Sequence, residues 1–130
     1  MPYILLIEDN QTNADMVNRV LNIAGYEVRH FMKGLEGARA ARAEIPSLIL
    51  LDFDLPDIDG KNLILTLKRQ LGGQAAPPIV ALTAQTGDTE RRIAARFGCD
   101  AFVSKPFEPQ AFVELINKLS PLPDKKDTVK

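Results

Sequence analysis

Residues 47–60 read SLILLDFDLPDIDG, an apolar run that ends in Asp52 and is followed by proline and glycine. A short apolar run bounded in this way predicts a β-strand that is buried on both faces. The terminal carboxylate of such a strand lies at the carboxyl edge of a sheet, where open α/β sheets bind their ligands. Asp52 is therefore the first candidate functional residue.

On both sides of this stretch, short apolar segments alternate with segments of helical periodicity. We predict strands at residues 3–7, 26–31, 48–51, 79–82 and 101–103. The first helix is indicated by apolar residues at three- and four-residue spacing before a stop at Gly25: Met16, Val17, Val20, Leu21 and Ala24. Four more helices are predicted at about 35–43, 61–71, 88–97 and 109–119. This alternation predicts a flavodoxin-like (βα)5 fold, an α/β doubly wound parallel sheet of strand order 2-1-3-4-5.

The composition is that of one domain with an ordinary core. The chain has 130 residues, of which 45% are hydrophobic, so it needs no disulfide or structural metal to fold. Its net charge of −1 gives no field that would recruit nucleic acid or an anionic membrane. The start of the chain is too short and too acidic for a signal peptide or a membrane span. We predict a cytoplasmic protein with no membrane insertion, one domain at 1–120 and a short flexible tail at 121–130.

Polar side chains follow four of the five predicted strands. Glu8 and Asp9 follow the first strand, Asp52 the third, Thr83 the fourth and Lys105 the fifth. Taken singly, each residue could be a helix cap, a turn residue or a solvated lysine. The carboxyl ends of parallel strands share one edge of the sheet, however, so we expect all five side chains to converge there.

Crowded carboxylates and a lysine suit phosphoryl chemistry. Carboxylates that repel one another recruit a cation, and hard oxygen ligands favour Mg²⁺. A carboxylate beside Mg²⁺ can attack phosphorus and form an acyl phosphate. Lys105 and the metal would offset the charge of the transferring group, and Thr83 could donate a hydrogen bond to a phosphate oxygen.

The motifs around these residues resemble the receiver domain of two-component response regulators, the family that includes single-domain response regulators. They occur in the family's order within residues 3–119: Leu6-Ile7-Glu8-Asp9-Asn10, Leu50-Leu51-Asp52 with Leu55-Pro56 and Asp59-Gly60, Ala81-Leu82-Thr83-Ala84, and Lys105-Pro106-Phe107. The resemblance implies a switch that is phosphorylated on an aspartate with the help of Mg²⁺.

The same resemblance implies the role of each acidic residue. Asp52 is the expected phosphoacceptor. Asp9 is expected to bind Mg²⁺ directly, Glu8 mainly through a water molecule, and Asp54 through its backbone carbonyl. The side chain of Asp54 adds a negative charge near the site, so we also expect it to tune the lifetime of the phosphoryl group, together with Gln85.

The resemblance further implies how the phosphoryl group is received and reported. Thr83 and Lys105 are expected to contact it, while Phe102 stands at the aromatic switch position. The donor is expected to be a histidine kinase or a histidine phosphotransfer protein, and an unidentified protein target would read the surface of the fourth helix, fifth strand and fifth helix. The domain would not be an enzyme beyond its Mg²⁺-dependent self-phosphorylation and autodephosphorylation.

Two residues outside these motifs carry further expectations. His30, the single histidine of the chain, is predicted to lie on the surface late in the second strand and far from the edge of the sheet where the polar residues converge. The single cysteine, Cys99, cannot form an internal disulfide and is predicted to be a buried, unreactive thiol.

Two other classes of protein remain as alternatives. Asp52-Phe53-Asp54 is an Asp-x-Asp motif, which is typical of aspartyl-phosphate phosphatases of the haloacid dehalogenase type. In those enzymes the motif precedes the other acidic residues, whereas here Glu8 and Asp9 come first. A pseudo-receiver that binds partners without being phosphorylated is the second alternative, and the presence of all five site residues argues against it.

Overall fold

The computed structural model describes residues 2–53, 55–72, 76–84 and 87–121. Within these ranges ten elements alternate in chain order: β1 (Ile4–Ile7), α1 (Gln11–Ile23), β2 (Val28–Phe31), α2 (Gly34–Ala43), β3 (Leu48–Asp52), α3 (Gly60–Gln70), β4 (Ile79–Thr83), α4 (Asp88–Arg96), β5 (Ala101–Ser104) and α5 (Pro109–Leu119). All strand pairings are parallel, and the order in the sheet is β2-β1-β3-β4-β5. The predicted flavodoxin-like fold and strand order are therefore confirmed.

The core has two layers, one on each face of the sheet. Successive side chains of a strand point to opposite faces. Leu5 and Ile7 of β1 accordingly pack with α2, α3 and α4, whereas Ile4 and Leu6 pack with α1 and α5. Every residue of β3 and of β4 is buried, as the apolar run that ends in Asp52 predicts.

The ends of α1 follow local sequence signals. The side chain of Asn10 accepts a hydrogen bond from the backbone N–H of Asn13 at 2.9 Å, which caps the helix. At the other end, Gly25 adopts a φ of 103°, a conformation that glycine reaches without strain. Of the apolar residues that predict this helix, Val17 and Leu21 are buried together with Ala14, whereas Met16 is 43% exposed.

The second strand is shorter than the sequence pattern suggests. It begins at Val28 rather than at Tyr26. Tyr26 is buried instead, and its hydroxyl lies 3.0 Å from the carbonyl oxygen of Ser120 and within hydrogen-bond distance of the Asn117 side chain. The phenol therefore ties the segment before β2 to the end of α5, because a buried tyrosine hydroxyl needs a polar partner.

Two predictions concern the ends of the chain, of which the structure describes only a part. Residues 122–130 of the expected tail are not among the described residues, and the division at residue 120 stays a prediction. No helix in the described ranges combines the length and the apolar character that crossing a bilayer requires.

Candidate functional site

Four strands bring the polar residues to one edge of the sheet. Glu8 directly follows β1, Asp52 is the last residue of β3, Thr83 is the last residue of β4, and Lys105 directly follows β5. The expected convergence of these side chains on one edge is thus what the parallel sheet produces.

Lys105 connects the strands at this edge. Its Nζ donates hydrogen bonds to Glu8 Oε1 at 2.9 Å and to Asp52 Oδ2 at 3.2 Å. Its backbone N–H donates to the carbonyl oxygen of Thr83 at 2.7 Å, and the Lys105–Pro106 peptide bond is cis. One lysine therefore bridges two carboxylates and is tied through its backbone to the end of β4.

Three carboxylates stand close enough to share one cation. Each of Glu8, Asp9 and Asp52 offers a carboxylate oxygen, and these oxygens lie within 4.8 Å of one another. Glu8 is fully buried and Asp52 is 7% exposed, whereas Asp9 faces solvent. Hard oxygen ligands beside an open, solvated position are the donor set that Mg²⁺ prefers, since this ion usually retains several waters. The residues present therefore fit the expected metal.

The pKa shifts within the cluster also favour a bound cation. Burial, together with a hydrogen bond with Asp52, raises the pKa of the Glu8 carboxyl to about 7, although the hydrogen bond from Lys105 lowers it. Burial lowers the pKa of Lys105, but its hydrogen bond with Glu8 and the charge of Asp52 outweigh that effect, so the pKa lies above its ordinary value. Lys105 is thus a lasting positive charge beside carboxylates that still lack charge compensation, which a divalent cation would provide.

Aromatic contacts lead away from the site toward α4. The ring of Phe102 is half-buried and meets Phe53, the residue after Asp52, edge to face at 5.9 Å between centroids. The guanidinium carbon of Arg91 lies 5.2 Å from the Phe102 centroid, and Arg91 Nη2 donates to Ser104 Oγ at 3.2 Å. Phe102 therefore contacts both the residue next to Asp52 and a side chain of α4.

Asp57, in the loop after β3, connects that loop to the start of α2. The sequence did not predict this role. The two carboxylate oxygens of Asp57 accept the backbone N–H groups of Gly34 at 2.9 Å and Leu35 at 3.0 Å, which caps α2 from a distant loop. Burial raises the pKa of Asp57, but these backbone hydrogen bonds outweigh it and hold the pKa below its usual range. No local signal could reveal this cap, since donor and acceptor are 23 residues apart.

Replacement of Asp57 should destabilise the protein measurably. Asp57→Ala leaves the first N–H groups of α2 without their acceptor, so we expect the free energy of unfolding to fall by about 1 kcal/mol. Asp57→Asn retains one acceptor oxygen and should lose less. Urea unfolding followed by circular dichroism measures both values, and three equal unfolding free energies would contradict the capping role.

The remaining sequence predictions have mixed outcomes. Asp54 and Gln85 lie outside the described residues, so their roles stay predictions. Cys99 is only partly buried, but burial raises the pKa of its thiol, as expected for an unreactive cysteine. The prediction that His30 is far from this edge of the sheet was wrong: its Nε2 lies 2.7 Å from the backbone carbonyl oxygen of Glu8, because the sheet register pairs His30 with Leu6 near the end of β1.

The fold and the edge site together define a class of α/β protein, a doubly wound parallel sheet with three carboxylates and a lysine at its carboxyl edge. The chain matches the family model of the response regulator receiver domain over residues 4–117. It therefore belongs to the receiver domain family of two-component response regulators.

Relatives include both short and long proteins. The chain is 34% identical to the polar-differentiation response regulator DivK of Brucella ovis over 115 residues, which cover 87% of this chain and 91% of that protein. It is 31% identical to hybrid signal transduction histidine kinase G of Dictyostelium discoideum over 121 residues, which cover 92% of this chain and 4% of that protein. The chain is thus similar to nearly all of a small regulator and to a small part of a long kinase.

A solved structure shows the same fold with a metal. The receiver domain of the sensor histidine kinase PA1611 from Pseudomonas aeruginosa matches with a TM-score of 0.82 at 29% identity, covering 91% of this chain and 96% of that chain. That structure has a magnesium ion coordinated in its active site cleft.

Proposed function

We propose that this receiver domain is a phosphorylation-dependent signalling switch whose phosphoacceptor is Asp52. The donor is a histidine kinase or a histidine phosphotransfer protein. The observation that carries the proposal is the bridge from Lys105 Nζ to Glu8 and Asp52, with the carboxylate of Asp9 alongside. Membership of the receiver family supports it.

In the proposed transfer, a carboxylate oxygen of Asp52 attacks the phosphorus of the donor phosphohistidine. A P–O bond forms as the P–N bond breaks, and the electron pair of the P–N bond stays on the imidazole nitrogen. The donor ring carries a proton on its other nitrogen, so the products are an acyl phosphate on Asp52 and a neutral imidazole on the donor. Lys105, already 3.2 Å from Asp52 Oδ2, offsets the charge of the phosphoryl oxygens, and the Thr83 hydroxyl donates to one of them.

The acidic cluster is the proposed Mg²⁺ site. Glu8, Asp9 and Asp52 would hold the ion, with the backbone carbonyl of Asp54 as a further predicted ligand. When bound, Mg²⁺ supplies positive charge that offsets the charge of the carboxylates and of the phosphoryl oxygens. The magnesium in the related PA1611 receiver supports this assignment.

The proposed output begins with the added charge. A phosphoryl group brings about −1.5 to −2 charges and three acceptor oxygens, which draw Thr83 and Lys105 toward Asp52. Phe102 then moves into the space that Thr83 leaves, and the surface formed by α4, β5 and α5 changes for an unidentified protein target. The contact of Phe102 with Phe53 supports this route, because Phe53 adjoins the phosphoacceptor.

The proposal includes no turnover of free substrates. Receiver domains are signalling modules, and the chemistry proposed for this chain is limited to Mg²⁺-dependent self-phosphorylation from a donor and autodephosphorylation. A cytoplasmic location and a lack of direct nucleic acid binding stay predictions from the sequence.

Acetyl phosphate and Mg²⁺ provide the direct test. We expect intact mass spectrometry of the full chain to show one phosphoryl adduct, which forms more slowly when a chelator removes the metal. Absence of any adduct would contradict the proposal and favour a pseudo-receiver that only binds partners. Continuous phosphate release from a small phosphate ester would instead favour the haloacid dehalogenase alternative.

A further inference from the structure

The backbone of Glu8 is held by β2 on both sides of the residue. Its N–H donates to the carbonyl oxygen of Phe31 at 3.0 Å, which closes the last rung of the β1–β2 ladder. Its carbonyl oxygen lies 2.7 Å from Nε2 of His30. In a continued parallel ladder this carbonyl would accept the N–H of Lys33, but Lys33 is the N-cap residue of α2. The imidazole of His30 thus takes the place of the Lys33 N–H as the partner of the Glu8 carbonyl.

The chemistry of this contact assigns the proton. A carbonyl oxygen only accepts hydrogen bonds, so Nε2 of His30 must carry a hydrogen for the two atoms to lie 2.7 Å apart. Glu8 is fully buried, and a buried carbonyl without a donor is costly. His30 is therefore the donor that satisfies the end of β1.

The bonded carbonyl belongs to the peptide group that joins Glu8 to Asp9. Because a peptide group is planar, holding its oxygen fixes the plane from which the Asp9 residue extends. The Glu8 carboxylate is itself held by Asn10 N–H at 3.2 Å and by Lys105 Nζ at 2.9 Å. His30 thus restrains the peptide group that joins Glu8 to Asp9. The separation of these two carboxylates decides how they share a cation.

We propose that His30 is a positioning residue of the acidic site, which sets the relative placement of the Glu8 and Asp9 carboxylates through its hydrogen bond to the Glu8 carbonyl. This inference rests on the proposed Mg²⁺-dependent function. Groups that orient metal ligands by hydrogen bonds typically affect metal affinity by about 10–100-fold. Since His30 acts on the ligand's backbone, we expect an effect of about tenfold, at the lower end of that range.

Two variants of His30 separate the donor from the bulk of the ring. His30→Leu removes the N–H, whereas His30→Gln keeps an amide N–H at a similar distance from the backbone. Calorimetric titration of the full chain with Mg²⁺ should show about tenfold weaker binding for His30→Leu and near wild-type binding for His30→Gln. The comparison covers three chains, the wild type and the two variants.

Other readouts keep the test decisive if His30→Leu folds poorly. Thermal unfolding without metal reports folding, and ¹⁵N spectra of the imidazole in the wild type report which ring nitrogen carries the proton. Equal Mg²⁺ affinity in all three chains overturns the inference, as does equal weakening in both variants or an Nε2 without hydrogen. A wild type that binds Mg²⁺ but forms no adduct contradicts the proposed function alone.

Discussion

Asp52→Asn should abolish the phosphoryl adduct. Asparagine has nearly the size of aspartate but offers an amide in place of the carboxylate that would attack phosphorus. Asp52 is the last residue of β3, where its backbone pairs in register with Leu82, so the strand itself is unaffected. After incubation with acetyl phosphate and Mg²⁺, intact mass spectrometry should show a single adduct on the wild type and none on the variant.

Asp15→Asn is the matched control for this substitution. Asp15 is exposed on α1, where its carboxylate accepts a hydrogen bond from the Gln11 side chain at 2.8 Å. It takes no part in the acidic cluster, so its adduct should equal that of the wild type. An undiminished adduct on Asp52→Asn would contradict Asp52 as the phosphoacceptor.

Lys105→Ala should slow adduct formation by about 10²–10³-fold, the effect typical of removing one preorganised donor from developing negative charge. Lys105 Nζ is the cationic group within hydrogen-bond distance of both Glu8 and Asp52. Without it, the charge that gathers on the phosphoryl oxygens loses its nearest fixed counter-charge. The initial rate of adduct formation, at fixed acetyl phosphate and Mg²⁺, measures the effect.

Two further lysine variants make this result specific. Lys105→Arg keeps the positive charge but replaces a compact ammonium with a planar guanidinium. Its rate of adduct formation should therefore fall between those of the wild type and Lys105→Ala. Lys118→Ala removes an exposed lysine from the last turn of α5 and should leave the rate unchanged. Lys105→Ala leaves the buried Glu8 carboxyl without its cationic partner, which could destabilise the fold. Circular dichroism therefore checks that each variant is folded. An unchanged rate in folded Lys105→Ala would contradict the proposed role.

The sequence by itself predicted the sheet and the edge at which the site lies. The apolar run that ends at Asp52 is too apolar for a half-exposed strand, and β3 is indeed buried throughout. Alternating periodicities predicted the strand order, and the polar residues at strand ends predicted the cluster of Glu8, Asp9 and Asp52. These features depend on a few neighbouring residues and on the shared direction of parallel strands, so they can be recognised without coordinates.

The tertiary structure alone decided which side chains meet across the sheet. His30 was placed far from the site, yet the β1–β2 register brings it to Glu8, 22 residues earlier in the chain. Asp57 caps a helix that begins 23 residues before it, and Tyr26 leaves the predicted strand to contact the end of α5. Periodicity shows which face of an element is apolar. Which polar groups lie opposite one another depends on strand register and loop path, and contacts distant in the sequence determine both.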